Sequence, residues 1–269
     1  MRQRSLVWRW SLLLVWLCCG CSPSWQKPSL LDQWLTGVSA DFKGVPELPT
    51  LDSAINEKRA VYFYEQLVAV IDYTDEKLKH CELIEVYEPW EAEETLKNLT
   101  SLGLKSNSLS FENMIRLMIK CDRLDGPIAV QGRSIGMVTQ MWDKKRNAHP
   151  LLAGIVPGTK WCGTGDIAKN YHDLGSRPNL DRCCRMHDLC PVKIRAYKNR
   201  YNLDNQSFFS RSHCVCDETF YQCLKDVNHV SATVIGNVYF NVIMPTCIEK
   251  DPSNSEKNSM RFSSPKKVF

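Results

Sequence analysis

The chain has 269 residues, 43% hydrophobic and 24% charged, with a net charge of only +4. That length holds one large domain or two small ones, and the apolar content supports a packed core. Beyond the N-terminus no stretch approaches the ~18 apolar residues of a membrane span, which excludes a membrane-spanning mature protein. The small net charge hides an asymmetry. Residues 22–153 carry 15 basic and 19 acidic side chains, whereas residues 154–269 carry 16 basic and 11 acidic. A basic half of this kind suits anionic surfaces such as phospholipid head groups, polyanions or the chain's own acidic segment.

Residues 1–21 read as a secretory signal. Arg2, Arg4 and Arg9 precede an apolar run from Trp10 to Cys19, which is too short to cross a bilayer, and small or polar residues follow. The protein is therefore expected outside the cell. Removing Cys18, Cys19 and Cys21 with the signal leaves ten cysteines, an even set that reads as disulfides in an oxidising compartment.

Ser22 to Pro49 reads as a linker. Ala60–Tyr73 and Cys81–Tyr87 are rich in Val, Ile and Tyr and suggest strands, with a helix as the alternative for the first. Glu91–Leu102 reads as a short helix. Ser110–Cys121 spaces Phe111, Met114, Ile115, Met118 and Ile119 as the core face of another. Cys81 and Cys121 are the only cysteines of this half and are expected to pair. Asn98-Leu99-Thr100 and Asn205-Gln206-Ser207 are possible glycosylation sequons. Lys144-Lys145-Arg146 marks a boundary where a processing protease could separate the acidic half from the basic one.

From Gly154 the texture changes. Gly154–Gly165 holds Gly or Pro at five of twelve positions, a backbone suited to tight turns. Asp181 is a candidate cap for a helix running through Cys190, with Pro191 ending it. Lys193–Ser212 reads as a loop and Cys214–Val227 as a second helix. Ser231–Met244 is expected to form a hairpin, and residues 251–269 a flexible basic tail.

Cys183 and Cys190 are seven apart, as are Cys216 and Cys223, so each pair lies on one face of its helix, two turns apart. If Cys183 pairs with Cys223 and Cys190 with Cys216, the helices are antiparallel in fixed register. His187 then faces the region of Asp217. A histidine beside a carboxylate is a general base with its ring held. Asp188 points about 100 degrees away round the helix and is free for another partner. One carboxylate plus carbonyls of the glycine-rich loop is a calcium-type ligand set. A zinc site built from the same cysteines is disfavoured by the secretory start, and no Gly-x-Ser-x-Gly elbow supports a serine hydrolase. A non-enzymatic disulfide module, with His187 and Asp188 as ordinary surface residues, stays open on spacing alone.

The segments Pro157–Gly165 (PGTKWCGTG), Cys183–Cys190 (CCRMHDLC), Cys214–Asp217 with Phe220–Leu224, and Tyr239–Asn241 ahead of Cys247 resemble the bee-venom-type, group III, secreted phospholipases A2. The resemblance covers about Gly154 to Cys247. It implies an α-rich, disulfide-stapled domain with two antiparallel helices, a calcium loop and a small β-hairpin. The catalytic domain would occupy residues 154–250, behind an α+β N-terminal extension or propeptide at 22–153. It implies Ca²⁺-dependent hydrolysis of the sn-2 ester of glycerophospholipids by an activated water. In that reading His187 is the base, Asp217 holds its ring, and Tyr239 supports Asp217. Asp188 and the carbonyls of Trp161, Gly163 and Gly165 bind Ca²⁺, and the Gly163 amide helps hold the oxyanion. The implied disulfides are Cys162–Cys184, Cys183–Cys223, Cys190–Cys216 and Cys214–Cys247. The expected partner is a phospholipid membrane surface rather than nucleic acid, and a monomer is expected. A binding protein that engages a membrane or receptor without turnover is the rival from another class.

Overall fold

A computed structural model of the chain describes residues 42–126, 154–253, 259–264 and 267–269. The expected signal segment, most of the linker and the basic triplet Lys144–Arg146 lie outside the described residues. Among the described residues no helix is long and apolar enough to cross a membrane.

The N-terminal unit comprises β1 (Lys58–Tyr64), β2 (Leu67–Thr74), β3 (Lys77–Glu85), α1 (Pro89–Ser101), β4 (Ser106–Ser108) and α2 (Phe111–Arg123). Its sheet has the order β3-β2-β1-β4, antiparallel except for β4 alongside β1. Residues 60–73 therefore resolve as strand. They fold back at Glu65-Gln66, where Tyr64 pairs with Leu67 and Glu65 takes a positive φ of 47°. The unbroken apolar run of β2 has a physical reason, since both of its faces are covered. Val68 and Val70 pack with Val61, Ile84 and Leu99 on one side. Leu67, Ala69 and Ile71 pack with Leu83, Met114 and Met118 on the other. Ser110 caps α2 by accepting from the Asn113 amide, and Cys121 of α2 bonds to Cys81 of β3.

The second unit carries α3 (Pro178–Asp188), the short strands β5 (Lys193–Ile194), β6 (Asn199–Arg200), β7 (Leu203–Asp204) and β8 (Arg211–Ser212), then α4 (Cys214–Val227) and α5 (Val230–Gly236). A π-helical stretch, Asn237–Ile243, continues α5, and β9 (Cys247–Lys250) pairs with β10 (Met260–Ser263).

Four expectations are corrected. Asp181 does not cap α3: Arg177 holds that position with Pro178 opening the helix, and Asp181 is fully buried inside it. The stretch 231–244 is helical rather than a hairpin. The residues it buries, Ala232, Gly236 and Phe240, recur every four positions, which is a helical and not a strand period. The region 251–269 includes strand β10, and Phe269 stacks on Phe240 and lies against Gly236. Met260, Phe262 and Phe269 are the apolar anchors that outweigh the polar composition there. Asn205 is no sugar acceptor in the folded chain, because it is buried and its amide donates to the carbonyls of Ile194, Arg195 and Phe209. Asn98, by contrast, is exposed on α1.

The two units share one hydrophobic core. Leu67, Leu83, Met114 and Met118 pack in the same cluster as Leu180, Cys183, Phe220 and Leu224. Polar contacts reinforce the junction. The buried guanidiniums of Arg182 and Arg185 on α3 pair with Asp122 at the end of α2, and Arg185 also with Asp125. Glu85, at the end of β3, takes Lys193 at 2.8 Å and Arg195 at 2.9 Å. Burial pushes the Glu85 carboxyl up, but these two cations outweigh it and hold it at about 2. A carboxyl depressed below its ordinary 4.5 adds stability that is complete above that value and lost as pH falls to about 2. Glu85→Gln is therefore expected to lower the unfolding free energy by about 2–3 kcal/mol at neutral pH. In denaturant titrations that deficit should shrink between pH 4.5 and pH 2. A deficit independent of pH would show that the ion pairs contribute nothing.

Candidate active site

Two cross-links set the site. Cys183–Cys223 joins α3 to α4 and Cys190–Cys216 joins the chain two residues past the end of α3 to the same helix, with Cα separations of 5.6 and 5.9 Å. Because Cys183 meets the later cysteine of α4 and Cys190 the earlier one, the chain of α3 runs antiparallel to α4. His187, four residues after Cys183, lies on the stapled face. Its Nε2 is 2.8 Å from Oδ1 of Asp217, the residue after Cys216. With Asp217 accepting, Nε2 carries the proton and Nδ1 is left as the basic nitrogen.

Tyr239 completes the cluster. Its hydroxyl donates to Asp217 Oδ1 at 3.0 Å and lies 3.1 Å from His187 Nε2. Burial, followed by the Asp217 charge, pushes this phenol well above its ordinary value, so it remains a proton donor. The helical path of 230–243 delivers Tyr239 here. Phe220 stacks on the imidazole with ring centroids 4.6 Å apart. Sequence reasoning missed this ring, although its place three residues after Asp217 on α4 puts it on the same helix face.

Asp188 follows His187 but turns to the Nδ1 side, its Oδ1 4.0 Å from that nitrogen. Its Oδ2 is buried without a hydrogen-bond partner. Burial raises the Asp188 carboxyl well above the ordinary range; Lys193 opposes this, while Asp166 and Glu85 add to it. A buried carboxylate oxygen with no donor is costly by itself and is what a cation would satisfy. Lys193 does not neutralise it directly: its Nζ donates to the Asp188 backbone carbonyl and pairs with Glu85.

The glycine-rich loop is fixed by α3. Asp181 accepts from the amides of Lys160 at 2.9 Å, Trp161 at 2.8 Å and Gly175 at 2.7 Å. Cys162–Cys184 bonds the loop to the same helix. Gly163 is required sterically, since a Cβ there would lie 2.5 Å from the Gly154 carbonyl oxygen. The loop carbonyls proposed as cation ligands are those of Trp161, Gly163 and Gly165. An unpaired carboxylate together with backbone carbonyls would make an all-oxygen donor set, the chemistry that a hard divalent cation of the Ca²⁺ type takes. Lys43 of the N-terminal unit pairs with Asp166 beside this loop and sits 4.6 Å over the Trp161 ring. The remaining disulfide, Cys214–Cys247, ties the start of α4 to β9.

Residues 155–251 match the family model described as phospholipase A2. The chain is 39% identical over 97 residues to a phospholipase A2 of Xylocopa appendiculata circumvolans, a match covering 36% of this chain and 54% of that protein. It thus spans about half the length of that relative. It is 42% identical over 98 residues to a phospholipase A2 of Bombus terrestris, covering 36% of this chain and 72% of the other. Over 92 residues it is 42% identical to a group 3 secretory phospholipase A2 of Bos taurus, covering 34% of this chain and 18% of the other. The described N-terminal unit, residues 42–126, precedes the span matched by the family model.

A carboxyl whose folded pKa is raised destabilises the folded chain increasingly as pH climbs above its ordinary value of 3.8. Without a cation, Asp188→Asn is expected to stabilise the protein at neutral pH by about 1–3 kcal/mol, and the gain should fade as pH approaches 3.8. Added Ca²⁺ should raise the melting temperature of the parent and leave that of the variant unmoved in scanning fluorimetry. An equal response in both would remove Asp188 as a ligand.

Proposed function

The chain belongs to the phospholipase A2 family, of the bee-venom, group III type, and from that premise we propose that it is a secreted, Ca²⁺-dependent hydrolase of the sn-2 ester of glycerophospholipids. The observation that carries this reading is the division of labour at His187: Nε2 is tied to Asp217, while Nδ1 faces the side where Asp188 holds an unsatisfied oxygen. Asp188 and the carbonyls of Trp161, Gly163 and Gly165 would hold Ca²⁺, which when bound supplies positive charge to polarise the ester carbonyl.

In this mechanism Nδ1 of His187 takes a proton from water as the water oxygen attacks the ester carbon. The imidazolium is stabilised by the Asp217 carboxylate, and Tyr239 holds that carboxylate in place. His187 then returns the proton to the departing alkoxide, so the products are a fatty acid and a lysophospholipid. Phe220 and Tyr239 keep the ring from turning. Five disulfides among the described residues support an oxidising, extracellular destination. The proposal includes action as a monomer on a membrane surface, and processing near Lys144-Lys145-Arg146.

The lipid surface has a physical candidate. Val230, Val234, Val238 and Val242 recur every fourth position along the helical stretch that carries Tyr239, and all four are exposed. An apolar row of this kind seats on lipid rather than on water. Val234→Asp together with Val242→Asp should reduce hydrolysis of vesicles while sparing a soluble short-chain ester; equal loss on both would detach the row from lipid docking.

The test of the function itself is fatty-acid release from phospholipid vesicles in Ca²⁺. His187→Gln is expected to lower the rate by roughly 10²–10⁴-fold, the usual contribution of a positioned base, with the disulfides and fold intact. If the folded, Ca²⁺-loaded parent released no sn-2 fatty acid, the reading would fail.

A further inference from the structure

A second group of side chains lies at the seam between the two units, apart from His187 and Asp188. His80 and Glu82 are two residues apart on β3 and project to the same face of the sheet. His172, in the segment between the glycine-rich loop and α3, meets them from the other unit. One ligand atom from each of the three lies within 4.8 Å of the others. The imidazoles of His80 and His172 have centroids 4.8 Å apart, and Glu82 Oε2 is 3.7 Å from His172 Nε2.

We propose that His80, Glu82 and His172 form a divalent-metal site of the zinc class that clamps the N-terminal sheet to the catalytic segment. Two imidazole nitrogens and one carboxylate oxygen form a three-ligand zinc set with a fourth position left for water. The all-oxygen set around Asp188 suits a harder ion, so the two sites sort metals by chemistry. Glu82 is already aimed: it is buried, and its Oε1 accepts from the Tyr171 amide at 3.0 Å. Asp72 Oδ2 lies 3.8 Å from His80 Nδ1, while both Asp72 oxygens accept from Arg59.

Bonds of about 2.0–2.1 Å to a tetrahedral ion bring ligand atoms to roughly 3.4 Å from one another. From the present 4.8 Å the cluster must therefore contract by up to about 1.4 Å, and His172 must release its 2.7 Å contact with the Cys81 carbonyl. The His172 side chain, 40% exposed, has solvent beside it in which to turn, whereas Glu82 is buried and already held.

The experiment is calorimetric titration of ZnCl₂ into the chelator-stripped full chain in saturating Ca²⁺. The expected result is one Zn²⁺ per chain, with His80→Ala and His172→Ala each weakening binding at least tenfold and the double variant abolishing it. His187→Gln should bind as the parent does, which separates this site from the catalytic histidine. Circular dichroism establishes that each variant is folded, and His172→Ala, at an exposed position, serves if His80→Ala does not fold. Absence of saturable binding by the parent, or binding that survives loss of both histidines, would overturn the proposal.

Discussion

The register of α3 against α4 is the constraint on which the site depends. Two disulfides two helical turns apart fix translation and rotation at once, because neither helix can slide or roll without stretching a bond. The side chains of the candidate site are placed by that frame. Asp217 reaches Nε2 of His187 because it follows Cys216, and Phe220 reaches the ring because it lies on the adjoining turn. The histidine needs no separate restraint of its own backbone.

The same helix organises the cation side by a different force. Asp181 is buried beneath the glycine-rich loop and gathers three backbone amides. Loop amides turned toward a buried carboxylate have their hydrogen bonds satisfied internally. At the far end of α3, the Lys193 ammonium meets the Asp188 carbonyl where the helix dipole is negative, and Glu85 balances that ammonium from the other unit. Thus α3 carries Asp181 against the loop, His187 against Asp217 and the unpaired oxygen of Asp188 within eight residues, each on a different face.

Much of this was legible in sequence because it was written in spacing. Seven-residue cysteine intervals give a helix face whatever else the chain does, and the His-Asp dipeptide needs only helical geometry to point two ways. The 110–121 stripe was legible for the same reason. What stayed hidden was decided by distant partners. Asp181 looks like a cap beside Pro178, and only the returning loop shows it to be buried. The stretch 231–244 mixes valines with polar residues in a way that mimics alternation. Its true period is set by which face, Ala232–Gly236–Phe240, meets the core. The ordering of β10 depends on pairing with β9 and could not be inferred from its own composition. His172 and Glu82 are 90 positions apart, and no local pattern links them.

The N-terminal unit follows from the same logic of partners. It is joined to the catalytic segment by a common core and by buried ion pairs, while among the described residues each disulfide closes within one unit. Arg185 is fully buried, so its charge is tolerable only while Asp122 and Asp125 face it. Detaching the N-terminal unit would therefore leave an unpaired guanidinium in the helix that bears His187, and expose the apolar face of β2. A cut in the connecting segment opens the chain without removing either of those penalties. The described N-terminal unit, residues 42–126, is thus packed against α3 by a shared core and by the Arg182 and Arg185 ion pairs, contacts that do not run through the connecting segment.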